Sequence, residues 1–341
     1  LAYFSKHGKP IWSEPRGLAA GYAVPQYSVH RGDLQMLLYE ATIERLGKDA
    51  VQTNAAFVSA GQRGDRVVAR FTNGSEEFEV EGAALVGADG IHSLVRRSFY
   101  PDEGAPNFAQ RLLWRAVTEA PPFLDGRTMI MAGFQHEKFV CYPISQRHAA
   151  RGRALINWIA ELTVPEKSPP LQDWNRDVTR ACFADRFANW RFDWLDVPAL
   201  IEGASAIYEF PLVDRDPLPA WTRGLITLLG DAAHPMYPIG SNGASQAILD
   251  AEALANALAS RPIAEALLAY ESERRPATSR IVLSNRQNGP EQVMQIAEER
   301  APSGFRHIHD VMTQAELEEI AARYKQTAGF AVSDVNRRVG G

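Results

Sequence analysis

The reading of this chain turns on residues 223–258, which open Arg223-Gly-Leu225-Ile-Thr-Leu-Leu229-Gly230-Asp231-Ala-Ala-His234-Pro235-Met-Tyr237-Pro238-Ile-Gly240-Ser-Asn242-Gly243-Ala244-Ser-Gln-Ala247-Ile248-Leu-Asp250 and run on into an Ala- and Leu-rich tail. Leu225 to Leu229 form a short apolar run, as in a buried strand of a parallel sheet, and Gly230 ends it where the backbone must turn. Asp231 then stands at the carboxyl end of a strand. Open α/β sheets hold their ligands at that edge, and a carboxylate there can accept hydrogen bonds from a ribose. After a loop rich in Pro and Gly, residues Ala244, Ala247, Ile248, Ala251, Leu254, Ala255 and Leu258 recur at helical spacing, which predicts a helix starting near Asn242. Its free N–H groups and positive dipole end suit a negatively charged ligand in the crevice of Asp231. A Gly-Asp pair by itself more often only ends a strand.

A second stretch repeats the pattern. Ala83-Ala-Leu-Val-Gly87-Ala-Asp89-Gly90-Ile-His-Ser93-Leu-Val95-Arg96-Arg97 reads as an apolar strand, an Asp-Gly turn and a helix. Upstream, Leu34, Leu37, Leu38, Ala41 and Leu46 share one helical face and Gly47 is the C-terminal stop. Arg31, just ahead of that face, either grips a phosphate with both arms of its guanidinium or is solvated. Tyr3/Phe4 and Ile11/Trp12 flank a turn at His7-Gly8 and predict a hairpin, while residues 55–60, 66–72 and 77–81 read as three short strands. From 108 to 218 the text turns aromatic. Strand-like runs at 111–117, 128–132, 139–144 and 155–160 and a Trp/Phe-rich helical piece at 173–195 predict a mostly antiparallel sheet serving as a lid. Helices follow at 263–283 and 314–324.

The totals bound the function. A chain of 341 residues, 45% hydrophobic and 23% charged, is an ordinary globular composition with room for two domains. A net charge of −5 and a pI near 6.0 leave no electrostatic footprint for nucleic acid or an anionic membrane. Cys141 and Cys182 stand far apart without metal-ligand spacing, so neither a zinc site nor a disulfide framework is expected and a reducing cytoplasm fits. The absence of an apolar run of membrane-spanning length argues against insertion in a bilayer.

Taken together, Gly230-Asp231-Ala-Ala-His234-Pro235 with Pro238-x-Gly240-x-Asn242-Gly243-Ala244 resembles the second FAD signature of the single-component flavin-dependent aromatic hydroxylases, the family of para-hydroxybenzoate and salicylate hydroxylases. Three further stretches resemble the same family: Arg31-x-x-Leu34-x-x-x-Leu38, Gly87-Ala-Asp89-Gly90-x-x-Ser93-x-Val95-Arg96, and Tyr270-Glu-x-x-Arg274-Arg275-Pro276. The resemblance implies an α/β fold: a Rossmann-like FAD domain carrying an inserted, mostly antiparallel substrate sheet. It implies that Arg31, Asp89, Gly90, Gly230, Asp231, Pro238, Gly240, Asn242, Gly243 and Ala244 hold FAD, with Asp231 on the ribose, and that Asp89 and Gly90 also serve transient docking of NAD(P)H. The expected boundaries are 1–25 (strands of the substrate sheet), 26–107 and 221–285 (FAD domain), 108–220 (substrate sheet) and 286–341 (C-terminal helical segment).

The implied reaction is hydroxylation of a small aromatic or heteroaromatic compound with O₂ through a flavin C4a-hydroperoxide. The cofactor carries the chemistry and the protein supplies position and a dry cavity. Pro238 and Gly240 are expected against the flavin ring. His234 is a candidate proton acceptor, with His136 behind it. Trp114, Tyr142 and Tyr237 are candidates for the substrate wall, and Arg115 for a carboxylate if it points inward. Trp12-Ser-Glu-Pro-Arg-Gly17, Pro25-Gln-Tyr-Ser-Val-His-Arg31-Gly and Tyr142-Pro-Ile-Ser are similar to members that act on phenazine carboxylates such as 5-methylphenazine-1-carboxylate. No metal is expected, and the assembly is a monomer or homodimer. One departure stands out. No Gly-x-Gly-x-x-Gly occurs in the 341 residues, so the first βαβ unit of such a fold is not in this text. The chain therefore reads as part of a longer parent, and on its own would be expected to bind FAD weakly. A halogenase on the same scaffold is disfavoured because no Trp-x-Trp-x-Ile occurs. An inactive fragment that binds a ligand or partner is favoured by the missing unit and opposed by the intact Asp89 and Asp231 motifs.

Overall fold

The apolar run at 225–229 folds as a strand because Ile226, Thr227 and Leu228 pair in parallel with Leu85, Val86 and Gly87, all three residues of the former being buried. Gly87 is needed there, since a Cβ would stand 2.7 Å from the Cβ of Val95. The computed structural model of the chain describes residues 1–167, 178–287, 289–327 and 330–339. In chain order its elements are β1 (Ala2–Phe4), β2 (Pro10–Ser13), α1 (Arg31–Leu46), β3 (Ala56–Arg63), β4 (Arg66–Thr72), β5 (Glu77–Gly82), β6 (Leu85–Gly87), α2 (Leu94–Phe99), β7 (Asn107–Ala120), β8 (Ile130–Phe134), β9 (Glu137–Pro143), α3 (Gln146–Ala149), β10 (Ala154–Thr163), β11 (Arg191–Phe192), β12 (Leu195–Asp196), α4 (Val197–Glu202), β13 (Tyr208–Asp214), β14 (Ile226–Leu228), α5 (Gly243–Ser260), α6 (Ile263–Asn285), α7 (Gln292–Arg300), α8 (Gln314–Thr327) and α9 (Val332–Val339).

The chain divides into two compact units. The sheet unit takes residues 1–36, 108–212 and 288–341; the motif unit takes 37–107 and 213–287. In the sheet unit seven strands lie in the order β13-β7-β10-β9-β8-β1-β2, with the β1–β2 hairpin joined to the rest by parallel pairing of Ala2 with Ile130. Period-two alternation builds it: Ala154, Ile156, Trp158 and Ala160 of β10 all turn to one face, where they meet Trp114, Phe139, Phe183 and Phe187 in an aromatic core. The opposite face packs Tyr3, Met131 and Val140 against Val293 and Met294 of α7 and Leu317 of α8. That face also holds a buried ionic group. Arg111 and Lys138 reach the two oxygens of Glu161 at 2.8 and 3.0 Å, and Lys138 meets Glu291 at 2.5 Å.

In the motif unit the β6–β14 pair, a three-stranded antiparallel sheet β3-β4-β5 and helices α2, α5 and α6 share a second core around Leu228, Trp221, Leu254 and Tyr270.

Two expectations need correction. The helical piece at 173–195 falls partly on 173–177, outside the described residues; from 180 onward it is two short 3₁₀ turns, Arg180–Cys182 and Ala184–Phe187, then the β11–β12 hairpin. Phe183, Phe187, Trp190 and Trp194 mimic a helical period, but each enters the core through its own turn. Phe183 stacks on Trp114 at 4.7 Å, Trp190 meets Phe187 at 5.1 Å, and Trp194 meets Phe4 at 4.3 Å. Helix α1 forms with Gly47 left-handed beyond it, yet its apolar stripe buries nothing: Leu37 and Leu38 are 61% and 56% exposed. The segment after 288 also carries α7 and α9 besides the expected α8.

Candidate active site

The turn after β14 is held from beneath by one carboxylate. Gly230 adopts φ +61°, a left-handed conformation that favours glycine, and its N–H donates to Asp250 Oδ2 at 3.1 Å. The same oxygen takes the Nε2 proton of His234 at 2.5 Å, and Oδ1 takes Arg274 Nε at 2.7 Å. Arg274 in turn donates to the backbone oxygen of Gln246 and, at 2.7 Å, to its side-chain oxygen. All of this is buried, with Trp221 packed 5.4 Å from the His234 ring and the Tyr270 hydroxyl donating to Leu228 O. Burial alone would raise the Asp250 carboxyl, but the bonds from His234 and Arg274 outweigh it and hold the group below the usual aspartate range. A single ionised side chain at the second turn of α5 thus fixes the end of β14, the loop and α6 together.

On this foundation Asp231 is exposed while Ala232 and Ala233 are buried. The loop passes through Gly240 and Ser241, both left-handed at φ +76° and +55°, to Asn242, whose buried side chain caps none of the first-turn N–H groups of α5. Gly243 is half-buried and Ala244 exposed, so the start of an 18-residue helix lies beside small side chains only. Tyr237 is buried, and its carbonyl accepts from Asn285 of α6 at 3.0 Å. Pro238 is exposed on the same loop.

The second motif is bolted to the first. Asp89 accepts the N–H groups of Leu94 and Val95 at 2.8 and 3.3 Å, Ser93 caps α2, and Gly90 takes φ +77° with open space where a Cβ would be. Arg96, almost wholly buried, runs from α2 to the carbonyls of Ala232 and Ala233 at 3.2 and 2.9 Å, with Glu103 bound to the other side of its guanidinium. Arg215 ties Ile91 O, Gly104 O and Glu103 together, a structural role. Asp89, Gly90, Gly230, Asp231, Pro238, Gly240, Asn242, Gly243 and Ala244 therefore belong to one rigid construction.

His234 is placed differently from the expectation. It is interior and committed to Asp250, so it positions the loop and presents no exposed nitrogen to a substrate. The remaining candidates lie in the sheet unit. Trp114 is buried in the aromatic core, with its Nε1 donating to Glu209 at 3.0 Å. Arg115, the next residue along β7, takes the opposite face and lies over the ring of Phe210 at 5.2 Å. Tyr142 is half-buried on that same face, Arg31 is exposed at the start of α1, and His136 is exposed with Nδ1 2.9 Å from the Thr163 hydroxyl. Among the described residues no three His, Cys, Asp or Glu side chains come together as a metal site, and no helix is long and apolar enough to cross a membrane.

Residues 22–285 match the family model described as FAD binding domain. The chain is 48% identical over 297 residues to the phenazine 1,6-dicarboxylic acid hydroxylase PhzS of Lysobacter antibioticus, covering 84% of this chain and 72% of that protein. This chain belongs to the FAD-dependent aromatic hydroxylases. It is also 32% identical over 270 residues to a 6-hydroxynicotinate 3-monooxygenase of Pseudomonas fluorescens, covering 75% of this chain and 64% of that protein. The chain thus spans about two thirds to three quarters of the length of these relatives. Among solved structures it shares its fold with a salicylate hydroxylase substrate complex, at a TM-score of 0.71 and 22% identity over 98% of this chain and 80% of that one. It shares it as well with Klebsiella pneumoniae HpxO complexed with FAD and uric acid, at 0.65 and 21% over 99% and 77%.

The motif unit fits the cofactor of that family. An exposed carboxylate at a strand end, an uncapped helix start flanked by small residues and an open glycine turn at Gly90 are what a ribose, a phosphate and a flat ring need from a protein surface. Asp250, Arg274 and Glu103 were not singled out from the sequence. Asp250 and Arg274 each lie inside a quoted motif, but their partnership spans 24 residues and two helices, and no periodicity marks it.

Proposed function

We propose that the protein carrying this chain hydroxylates an aromatic or heteroaromatic ring, consuming O₂ and NAD(P)H, with FAD bound non-covalently. The observation that carries this reading is the Arg96 bridge, which joins the Asp89-Gly90 turn to the Gly230-Asp231 loop and makes one platform of the two motifs. When bound, FAD supplies the reduction of O₂ and the oxygen atom that is transferred. The chain's own residues hold and orient. Asp231 accepts the ribose hydroxyls, the α5 N–H groups at Gly243 and Ala244 face the negative part of the cofactor, and Asp89 and Gly90 provide a second contact where nicotinamide docks briefly. Arg31 adds a cation for the cofactor, and the stretch from Pro238 to Gly240 forms the backbone wall for the flavin ring. Asp250, His234 and Arg274 act through position alone.

Phenazine carboxylates are the favoured substrates, on the likeness of the 12–17, 25–32 and 142–145 stretches to enzymes of that type. We further propose a monomer or homodimer in the cytoplasm. The test uses the full-length protein. Its visible spectrum should show oxidised flavin, and NADPH oxidation should rise with phenazines or hydroxybenzoates and not with aliphatic ketones. A response to ketones alone would discard ring hydroxylation; equal responses to benzoates and phenazines would discard only the phenazine preference.

A further inference from the structure

Arg111, Arg115 and Lys138 project from one face of the seven-stranded sheet. Residues four apart on a strand share a face, and Tyr142 and Ile159 on that face pack with the core that includes Val140 and Met131. At one end of the face the charges balance, with Arg111 and Lys138 answered by Glu161 and Glu291. Arg115 receives neither carboxylate. Its partner across β10 is Ile159, an apolar residue, and its Nε is buried with no hydrogen-bond partner. The charge acting most strongly on it is another cation, Arg31; burial first and Arg31 second push its pKa down to about 10. A desolvated guanidinium without a counter-ion is costly. Such a group is retained where an anion arrives from outside, and its planar fork suits a carboxylate taken with two bonds.

What surrounds the guanidinium identifies the rest of the ligand. Phe210, Tyr142 and Ile159 are all half-buried, and with the aliphatic stem of Arg115 they give a flat, apolar and aromatic surface beside a single cation. We infer that Arg115 takes the carboxylate of a carboxylated aromatic substrate, whose ring lies on this surface. The inference rests on the proposed ring hydroxylation. It selects, within that reaction class, rings that carry an acid over the same rings without one. The FAD pyrophosphate offers the same anionic oxygens, and the experiment separates the two sources.

The full-length flavoprotein is assayed for ring-stimulated NADPH oxidation with phenazine-1-carboxylate against phenazine and salicylate against phenol, and ring affinity is read from the perturbation of the flavin spectrum. The wild type should bind the carboxylated member of the preferred pair at least about tenfold more tightly. Arg115→Gln should raise KM for that member about tenfold or more, leave its decarboxylated partner within about twofold, and leave the FAD Kd unchanged; Arg115→Lys should recover part of the loss. Equal affinity of the wild type for both members overturns the inference without any variant. So does an equal loss with both members in Arg115→Gln, and so does a weakened FAD Kd, which would assign the residue to the pyrophosphate. If no ring of either kind stimulates the wild type, the hydroxylation reading fails first and this one with it.

Discussion

The Arg111, Lys138, Glu161 and Glu291 group of the sheet unit and the His234, Asp250 and Arg274 group of the motif unit are alike in being buried and in drawing on residues remote in sequence. They differ in what they hold. The first joins β7, β9 and β10 to the segment that leads into α7, and every atom it contacts is part of the sheet and its cover. The second reaches the N–H of Gly230, one residue from the exposed Asp231, and so spends the cost of a buried charge on the backbone of a ligand loop. Similar chemistry thus serves architecture in one place and preorganisation in the other.

The sharpest way to break this comparison is to remove the central carboxylate of each group. Asp250→Ala and Glu161→Ala should each cost about 3–5 kcal/mol in urea unfolding, because each leaves two buried partners behind. Only Asp250→Ala should also weaken FAD binding in the fraction that remains folded, read by flavin fluorescence titration. Equal weakening by both would erase the distinction. A smaller effect is expected from Asp231→Ala. Loss of a charge-assisted bond worth about 1.5–3 kcal/mol should weaken FAD roughly 10- to 150-fold, while the unfolding midpoint of the apoprotein stays put because Asp231 is exposed. Unchanged flavin affinity would remove Asp231 from the site.

The smallest effect near neutrality is that of acid, and it tests both regions at once. Burial opposes ionisation of Asp250 and Glu161, but His234 and Arg274 in one case and Lys138 and Arg111 in the other hold each carboxyl below its ordinary range when folded. A depressed folded value means that the stabilisation is complete above the unfolded pKa, about 4, and is lost as pH falls through the folded one. The unfolding midpoint should therefore be flat for these groups from pH 7 to 5 and fall below about pH 4. In Asp250→Asn and Glu161→Gln that acid fall should shrink, and a fall of undiminished size in both would assign it to other carboxylates.

Local signals carried much of the structure. Strand, glycine turn and helix at 225–258 were legible because each step is written in adjacent residues: an apolar run, a Gly-Asp, then small residues at helical spacing. The same holds for Asp89-Gly90 and for the hairpin around Gly8. The aromatic stretch after 180 was misread because four rings at helical spacing satisfy a periodicity test, whereas their actual partners, Trp114, Phe139 and Phe4, lie far away in sequence. For the same reason Trp114 belongs to the core and its neighbour Arg115 to the opposite face, a distinction fixed by strand alternation once the sheet exists. His234 attracted a chemical role by its residue type; its role is set by Asp250, sixteen residues on.

The parallel pairing of Ala2, Tyr3 and Phe4 with Ile130, Met131 and Ala132 also sets a timetable. On the ribosome the β1–β2 hairpin emerges long before its neighbour β8, and at about 5–20 residues per second the interval is roughly 6–25 s. Throughout it, Tyr3, Phe4, Ile11 and Trp12 are unshielded and one strand edge is unpaired, the condition under which nascent chains associate with one another. The hairpin is therefore the segment of this chain with the most to gain from a chaperone during synthesis.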